Sequence, residues 1–121
     1  MVKMQKPVTL KQNTEFHRAY GRGKVKAAPS IVTYVVKNRG QGIRMGITAA
    51  KKLGSAVERN RCRRIIRAAF SSIYPQCSGN YDIVFVARFR TKKLKSSDLE
   101  PVMRNHLTEL GVVSGSVGAE F

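Results

Sequence analysis

The sequence predicts an α+β protein, a small sandwich with helices on one face of a sheet, in the order α-β-β-(β)-α-β-α. Two β-branched runs, Ser30–Lys37 and Ile43–Thr48, alternate in two-residue phase. A third run, Tyr81–Ala87, is almost continuously apolar. Around them lie stretches whose apolar residues recur at helical spacing. The chain has 121 residues, 42% of them apolar, enough for one domain with its own core.

Met1–Pro7 is basic and expected to be loose. The stretch Leu10–Gly23 reads as a short helix capped by Asn13 and stopped at Gly21, with Phe16, Ala19 and Tyr20 on one side. Along Ser30–Lys37, Ile31, Thr33 and Val35 share one face, and Val32, Tyr34 and Val36 the other. Asn38–Gly42 has turn composition, so this strand and Ile43–Thr48 read as a hairpin. Tyr81–Ala87 reads as a strand buried on both faces or in mid-sheet. Ser97 and Glu100 have capping-box spacing ahead of a helix carrying Leu99, Val102, Met103, His106, Leu107 and Leu110 on one side. Gly111 closes it. Residues 1–111 are thus expected to form one domain, and 112–121, Gly/Ser-rich without period, a disordered tail.

The most informative stretch is Lys51–Phe70, with seven Lys/Arg against one acid, Glu58. After a Leu53-Gly54-Ser55 turn, with Ser55 as N-cap, it reads as a helix. At about 100° per residue, Cys62, Ile65, Ile66, Ala69, Phe70 and Ile73 gather on one arc. Asn60, Arg63, Arg64 and Arg67 gather opposite, with Arg59 and Arg61 at the margins. Arginines at such spacing repel one another by a few tenths of a kcal/mol per pair. A polyanion along the stripe relieves that repulsion, and guanidinium forks suit phosphate oxygens. A solvated surface helix is the bland alternative.

The net charge of +16 favours the polyanion, with nucleic acid the first candidate and an anionic membrane surface the second. No apolar run reaches the roughly 20 residues that span a bilayer, and no signal-peptide pattern follows the basic start; a cytoplasmic protein is expected. Cys62 and Cys77 fit no zinc spacing, and Cys62 reads as a small core residue. The seven acids form no convincing metal-nuclease pair, and there is no P-loop or Ser/His/Asp motif. His17 and His106 could pair as acid and base, but His106 lies on the apolar side of its helix and reads as a satisfied buried residue. These features describe a binding protein whose partner carries any reaction. Phe16 and Tyr20 read first as core; together with Tyr34, and rimmed by Arg18, Lys37 and Arg88, they also make a stacking platform for single-stranded RNA.

The run KKLGSAVERNRCRRIIR, Lys51 to Arg67, closely resembles the "RNR" signature of the bacterial ribonuclease P protein component. Leu10-Lys11, Glu15-Phe16, Tyr20, Arg44, Gly46-Ile47, Tyr81-Asp82-Ile83 and Ala87-Arg88 extend the resemblance over about residues 9–110. It implies a fold of the ribosomal S5 second-domain type with a left-handed β-α-β crossover. It further implies a protein subunit, one per RNA subunit, in a ribonucleoprotein that removes the 5′ leader of precursor tRNA. The RNA would perform the hydrolysis with Mg²⁺ and the protein would hold no catalytic residue or metal. By position, Lys51, Lys52, Arg59, Asn60, Arg61, Arg63, Arg64 and Arg67 would contact the catalytic RNA. Phe16, Tyr20, Tyr34 and Arg88 would receive the leader. A ribosomal or general basic RNA-binding protein is the alternative that charge alone allows.

Overall fold

The computed structural model describes residues 8–113, so the basic start and most of the expected tail lie outside the described residues. The elements are β1 (Val8–Thr9), α1 (Asn13–Arg22), β2 (Lys24–Ala27), β3 (Ile31–Lys37), β4 (Ile43–Thr48), α2 (Ala56–Ile73), β5 (Tyr81–Ala87) and α3 (Ser96–Glu109). They build a mixed α+β fold around one five-stranded sheet, ordered β1-β4-β5-β3-β2.

The central strand is β5, antiparallel to β3 and parallel to β4. The expected β3–β4 hairpin is therefore wrong. Turn chemistry at Asn38–Gly42 is present, but it spans a gap that β5 fills: Asn38 N donates to the Asn80 carbonyl (3.0 Å) and Tyr81 N to the Gly42 carbonyl (3.0 Å). The side-chain oxygen of Asn80 also accepts from Gly42 N at 2.9 Å. The hairpin that does form is β2–β3, with Val25 opposite Tyr34. All four β2 residues are exposed, so its short Lys-Val-Lys-Ala alternation buries no apolar face.

Helices cover both faces, not one. Ile83, Phe85 and Ala87 of β5 join Ile31, Val35 and Met45 in a core closed by α2 and α3. Val84 of β5 faces the other way and packs with Leu10 and Ala19, flanked by Phe16, Tyr34, Val36 and Val86. That second core lies beneath α1. An apolar run such as β5 requires cover on both sides, since each uncovered Val or Phe forgoes about 1.5–3 kcal/mol of burial.

Helix ends differ from expectation by a residue or two. In α1 the cap is Gln12, because Glu15 Oε1 accepts from Gln12 N (3.1 Å) and Lys11 N (3.0 Å). The helix passes through Gly21 and stops at Gly23, where a Cβ would lie 2.5 Å from the Ala19 carbonyl oxygen and 2.9 Å from that of Val35. In α3 the cap is Lys95, whose N–H donates to Asp98 Oδ2 (3.0 Å), while Glu100 pairs with Arg104 instead of capping. Gly111 (φ 89°) ends that segment as expected. The expected tail starts too early, however: Val112 and Val113 are buried, Ser78 N donates to the Val112 carbonyl (3.0 Å), and Cys77 bridges Val113. Among the described residues no helix is long and apolar enough to cross a membrane.

Candidate nucleic-acid interface

The six residues of α2 on the expected apolar arc (Cys62, Ile65, Ile66, Ala69, Phe70 and Ile73) are the buried residues of that helix. Helical geometry then leaves the arginines on the outer side. Arg61, Arg64 and Arg67 are exposed, and Arg59 and Arg63 half-buried. Lys51 and Lys52 are exposed on a short 3-10 turn that precedes the helix. Local bonds hold parts of the row in place. Arg59 Nε donates to the Gly54 carbonyl (3.3 Å), Arg61 Nε to the Lys92 carbonyl (3.3 Å), and Arg63 Nη1 to Asn60 Oδ1 (3.1 Å).

None of these eight residues enters an ion pair among the described residues. The described acids are engaged elsewhere. Glu15 and Asp82 hold Arg44, Glu58 holds Lys92, Glu100 holds Arg104, Glu109 holds Lys26, and Asp98 caps α3. The cationic row therefore finds no carboxylate among the described residues to relieve its repulsion.

The start of α2 is firmly set. Ser55 Oγ accepts from Glu58 N (3.2 Å) and Glu58 Oε1 from Ser55 N (3.0 Å), a reciprocal capping box. The bond from Ser55 N, with Lys92 nearby, holds the Glu58 carboxyl below its ordinary pKa. Gly54 lies at φ 144°, and a Cβ there would come within 1.9 Å of Glu58 Oε1. Lys92 Nζ closes the corner by donating to the Leu53 carbonyl at 2.6 Å.

The second surface lies where α1 packs on the sheet. Tyr20 from α1 meets Tyr34 from β3 edge to face, with centroids 5.0 Å apart and planes at 70°. The Tyr20 hydroxyl is bonded to Thr48 Oγ1 (2.5 Å), and the residue remains 38% exposed. Phe16 lies half-buried over Gly46, where an added Cβ would be 2.6 Å from its Cζ. The structure thus brings Phe16, Tyr20 and Tyr34 together: Phe16 is mostly floor, and Tyr20 presents its ring at the rim.

Arg88 follows β5 in extended backbone (φ −121°, ψ 171°), continuing the alternation of Val84 and Val86. Its Nη1 donates to the Ala28 carbonyl (3.2 Å). Arg18 anchors α1 to the Lys37 carbonyl. His106 is buried, with Nδ1 2.9 Å from Thr33 Oγ1, and burial pushes its pKa down. A solvent-facing acid–base role with His17 is thereby removed.

Three features of these surfaces were not legible beforehand. Arg44, Glu15 and Asp82 form an ion triad that seats α1, from residues 29 and 38 positions apart in the chain. Lys92 fixes the α2 corner through two long-range contacts. Phe89, flanked by arginines and without helical or strand period, is 57% exposed.

The family model described as Ribonuclease P matches residues 4–111. The chain belongs to the ribonuclease P protein family. The ribonuclease P protein component of Clostridioides difficile (strain 630) is 37% identical over 97 residues, spanning 79% of this chain and 85% of that protein. That of Clostridium botulinum (strain Loch Maree / Type A3) is 33% identical over 85% of this chain and 94% of its own. The solved RNase P protein of Staphylococcus aureus superposes with a TM-score of 0.77 at 30% identity, covering 89% of this chain and 99% of that one. The RNase P protein of Thermotoga maritima shares the fold at a TM-score of 0.71, with 23% identity over 80% of this chain and 92% of its own. As a family member the chain is a protein component of ribonuclease P and takes part in tRNA processing.

Proposed function

We propose that the α2 arginine row, with Lys51 and Lys52, binds the catalytic RNA subunit of ribonuclease P, one protein per RNA. The cleft formed by Phe16, Tyr20 and Tyr34, with Arg88 at its end, receives the single-stranded 5′ leader of precursor tRNA. One observation carries this reading. The row is outward-facing and free of carboxylates while every described acid is engaged elsewhere. Phosphates are the complement it lacks, and Arg forks bind them in a bidentate way. In the cleft, each stacked base contributes about 1–3 kcal/mol independently of sequence, as a leader of variable sequence requires.

On this reading the protein positions RNA and supplies no reacting group. The RNA subunit, on this reading, performs the hydrolysis with Mg²⁺ held mainly by the RNA. The protein's cations lower the repulsion between leader and catalytic RNA, which favours both substrate and Mg²⁺ binding. As part of the same reading, the protein works in the cytoplasm. Precursor tRNA cleavage by the RNA subunit at low Mg²⁺, with and without this chain, tests it. Stimulation is expected, and its absence would remove the proposal.

A further inference from the structure

The turn after β5 carries an aromatic ring that neither core uses and that no role given above employs. Phe89 belongs to neither buried cluster and is 57% exposed. It borders an open hollow of about 580 Å³ lined by Pro29, Arg88, Arg90 and Lys93. Lys92 Nζ lies 5.3 Å from the ring centroid, a cation–π contact. Arg88, Arg90 and Lys93 have no ion-pair partner among the described residues.

The ring stands on a rigid base. Thr91 is fully buried; its Oγ1 donates to the Ser30 carbonyl (2.5 Å) and accepts from Arg88 N (2.9 Å). Lys92 ties the same turn to the Leu53 carbonyl at the corner of α2. The turn that carries Phe89 is thus tied to Ser30, ahead of β3, on one side and to the corner of α2 on the other. Along β5, Val84, which is opposite Tyr34, lies four residues before Arg88. At about 3.3 Å per residue that is ~13 Å, a gap that a short unstacked strand spans.

We propose that Phe89 is a second stacking platform, taking an unpaired nucleobase whose flanking phosphates lie against Arg88, Arg90 and Lys93. An exposed ring beside Arg88, Arg90 and Lys93, which have no carboxylate partner among the described residues, is the arrangement single-stranded RNA requires. This inference rests on the leader reading for its favoured source, a leader nucleotide beyond those held in the cleft. The same chemistry suits an unpaired base of the catalytic RNA.

The test uses holoenzyme reconstituted with the RNA subunit and precursor tRNAs whose leaders lengthen one nucleotide at a time. Affinities are compared for the wild type, Phe89→Ala, Phe89→Leu, Phe89→Trp and Tyr34→Ala. Phe89→Ala and Phe89→Leu are expected to lose about five-fold or more, only above a threshold leader length, and Phe89→Trp to restore it. A loss in affinity for the RNA subunit alone, again restored by Trp, assigns the base to that RNA and also upholds the platform. Wild-type behaviour of Phe89→Ala in both arms, or of Phe89→Leu, overturns it. Loss in Tyr34→Ala beside a silent Phe89→Ala leaves the cleft reading standing alone. A silent Tyr34→Ala beside a leader-dependent loss in Phe89→Ala sinks the cleft reading and keeps the platform.

Discussion

Arg44 grips the fully buried carboxylate of Asp82 with two parallel bonds, Nε to Oδ1 and Nη2 to Oδ2, both 2.8 Å. Its remaining arm, Nη1, reaches Glu15 Oε2 on α1 at 3.1 Å. Asn38 Nδ2 adds a bond to Asp82 Oδ1 (2.9 Å). The bonds to Asp82 also raise the Arg44 pKa above its ordinary value, so this cation stays charged throughout. One guanidinium thus fastens α1 to the two central strands, and α1 carries two of the three cleft rings.

Removing that guanidinium strands a buried anion. Arg44→Ala is expected to cost about 3–5 kcal/mol in urea unfolding, because Asp82 keeps its desolvation and loses its partner. Arg44→Ala with Asp82→Ala should cost clearly less than the two single losses added together. Additive losses would show that the pair does not act as a unit.

Acid should destabilise the fold in two stages. Burial lowers the His106 pKa, so the unfolded chain binds the proton more readily. Its contribution is complete above about pH 6.5 and is lost as pH falls through the lower folded value. The Glu15 carboxyl is lowered chiefly by the bond from Gln12 N, and that of Glu109 by Lys26. Their contributions persist until the pH nears the ordinary carboxylate range and fade below it. Urea midpoints measured against pH should show both stages, and His106→Gln should abolish only the upper one.

The outer row of α2 makes an ionic-strength prediction. Arg64 is exposed, and its guanidinium is in no ion pair among the described residues. Arg64→Ala should leave stability within about 0.5 kcal/mol. It should weaken binding to the RNA subunit and reduce the slope of log K against log salt by about one unit. An unchanged slope would exclude a phosphate contact at this position.

How far the sequence revealed these surfaces depends on the range of the interactions involved. The α2 stripe was legible because a 3.6-residue period is local, and each buried position from Cys62 to Ile73 follows from it. The placement of β5 in mid-sheet followed from its apolar run. Strand pairing did not: a turn at Asn38–Gly42 suits a hairpin equally well, and what separates β3 from β4 is β5, a strand much later in the chain that pairs with both. Helix caps shifted because a carboxylate three residues on decides them; Asp98 outcompetes Glu100 by reaching Lys95 N. The cleft rings were visible as residues, but their division into floor and rim was not. It depends on Gly46, on a strand remote from α1 in sequence.

Gly46 is accordingly the sharpest probe of the cleft. An added Cβ would lie 2.6 and 2.7 Å from Cζ and Cε1 of Phe16 and 3.2 Å from the Leu10 Cβ. The far end of an aromatic side chain can swing aside, whereas β4, paired to β1 and β5, cannot. Gly46→Ala should therefore lift the Phe16 ring out of its seat, at about 1–3 kcal/mol for overpacking. If the seated ring is part of the leader surface, the variant will lose affinity for leader-bearing precursor more than for mature tRNA. Phe16→Ala should give the same bias, with its own stability loss from the emptied floor. Equal losses for both RNAs in Gly46→Ala, at a temperature where it remains folded, would reduce Phe16 to a core residue and leave Tyr20 and Tyr34 alone to face the strand.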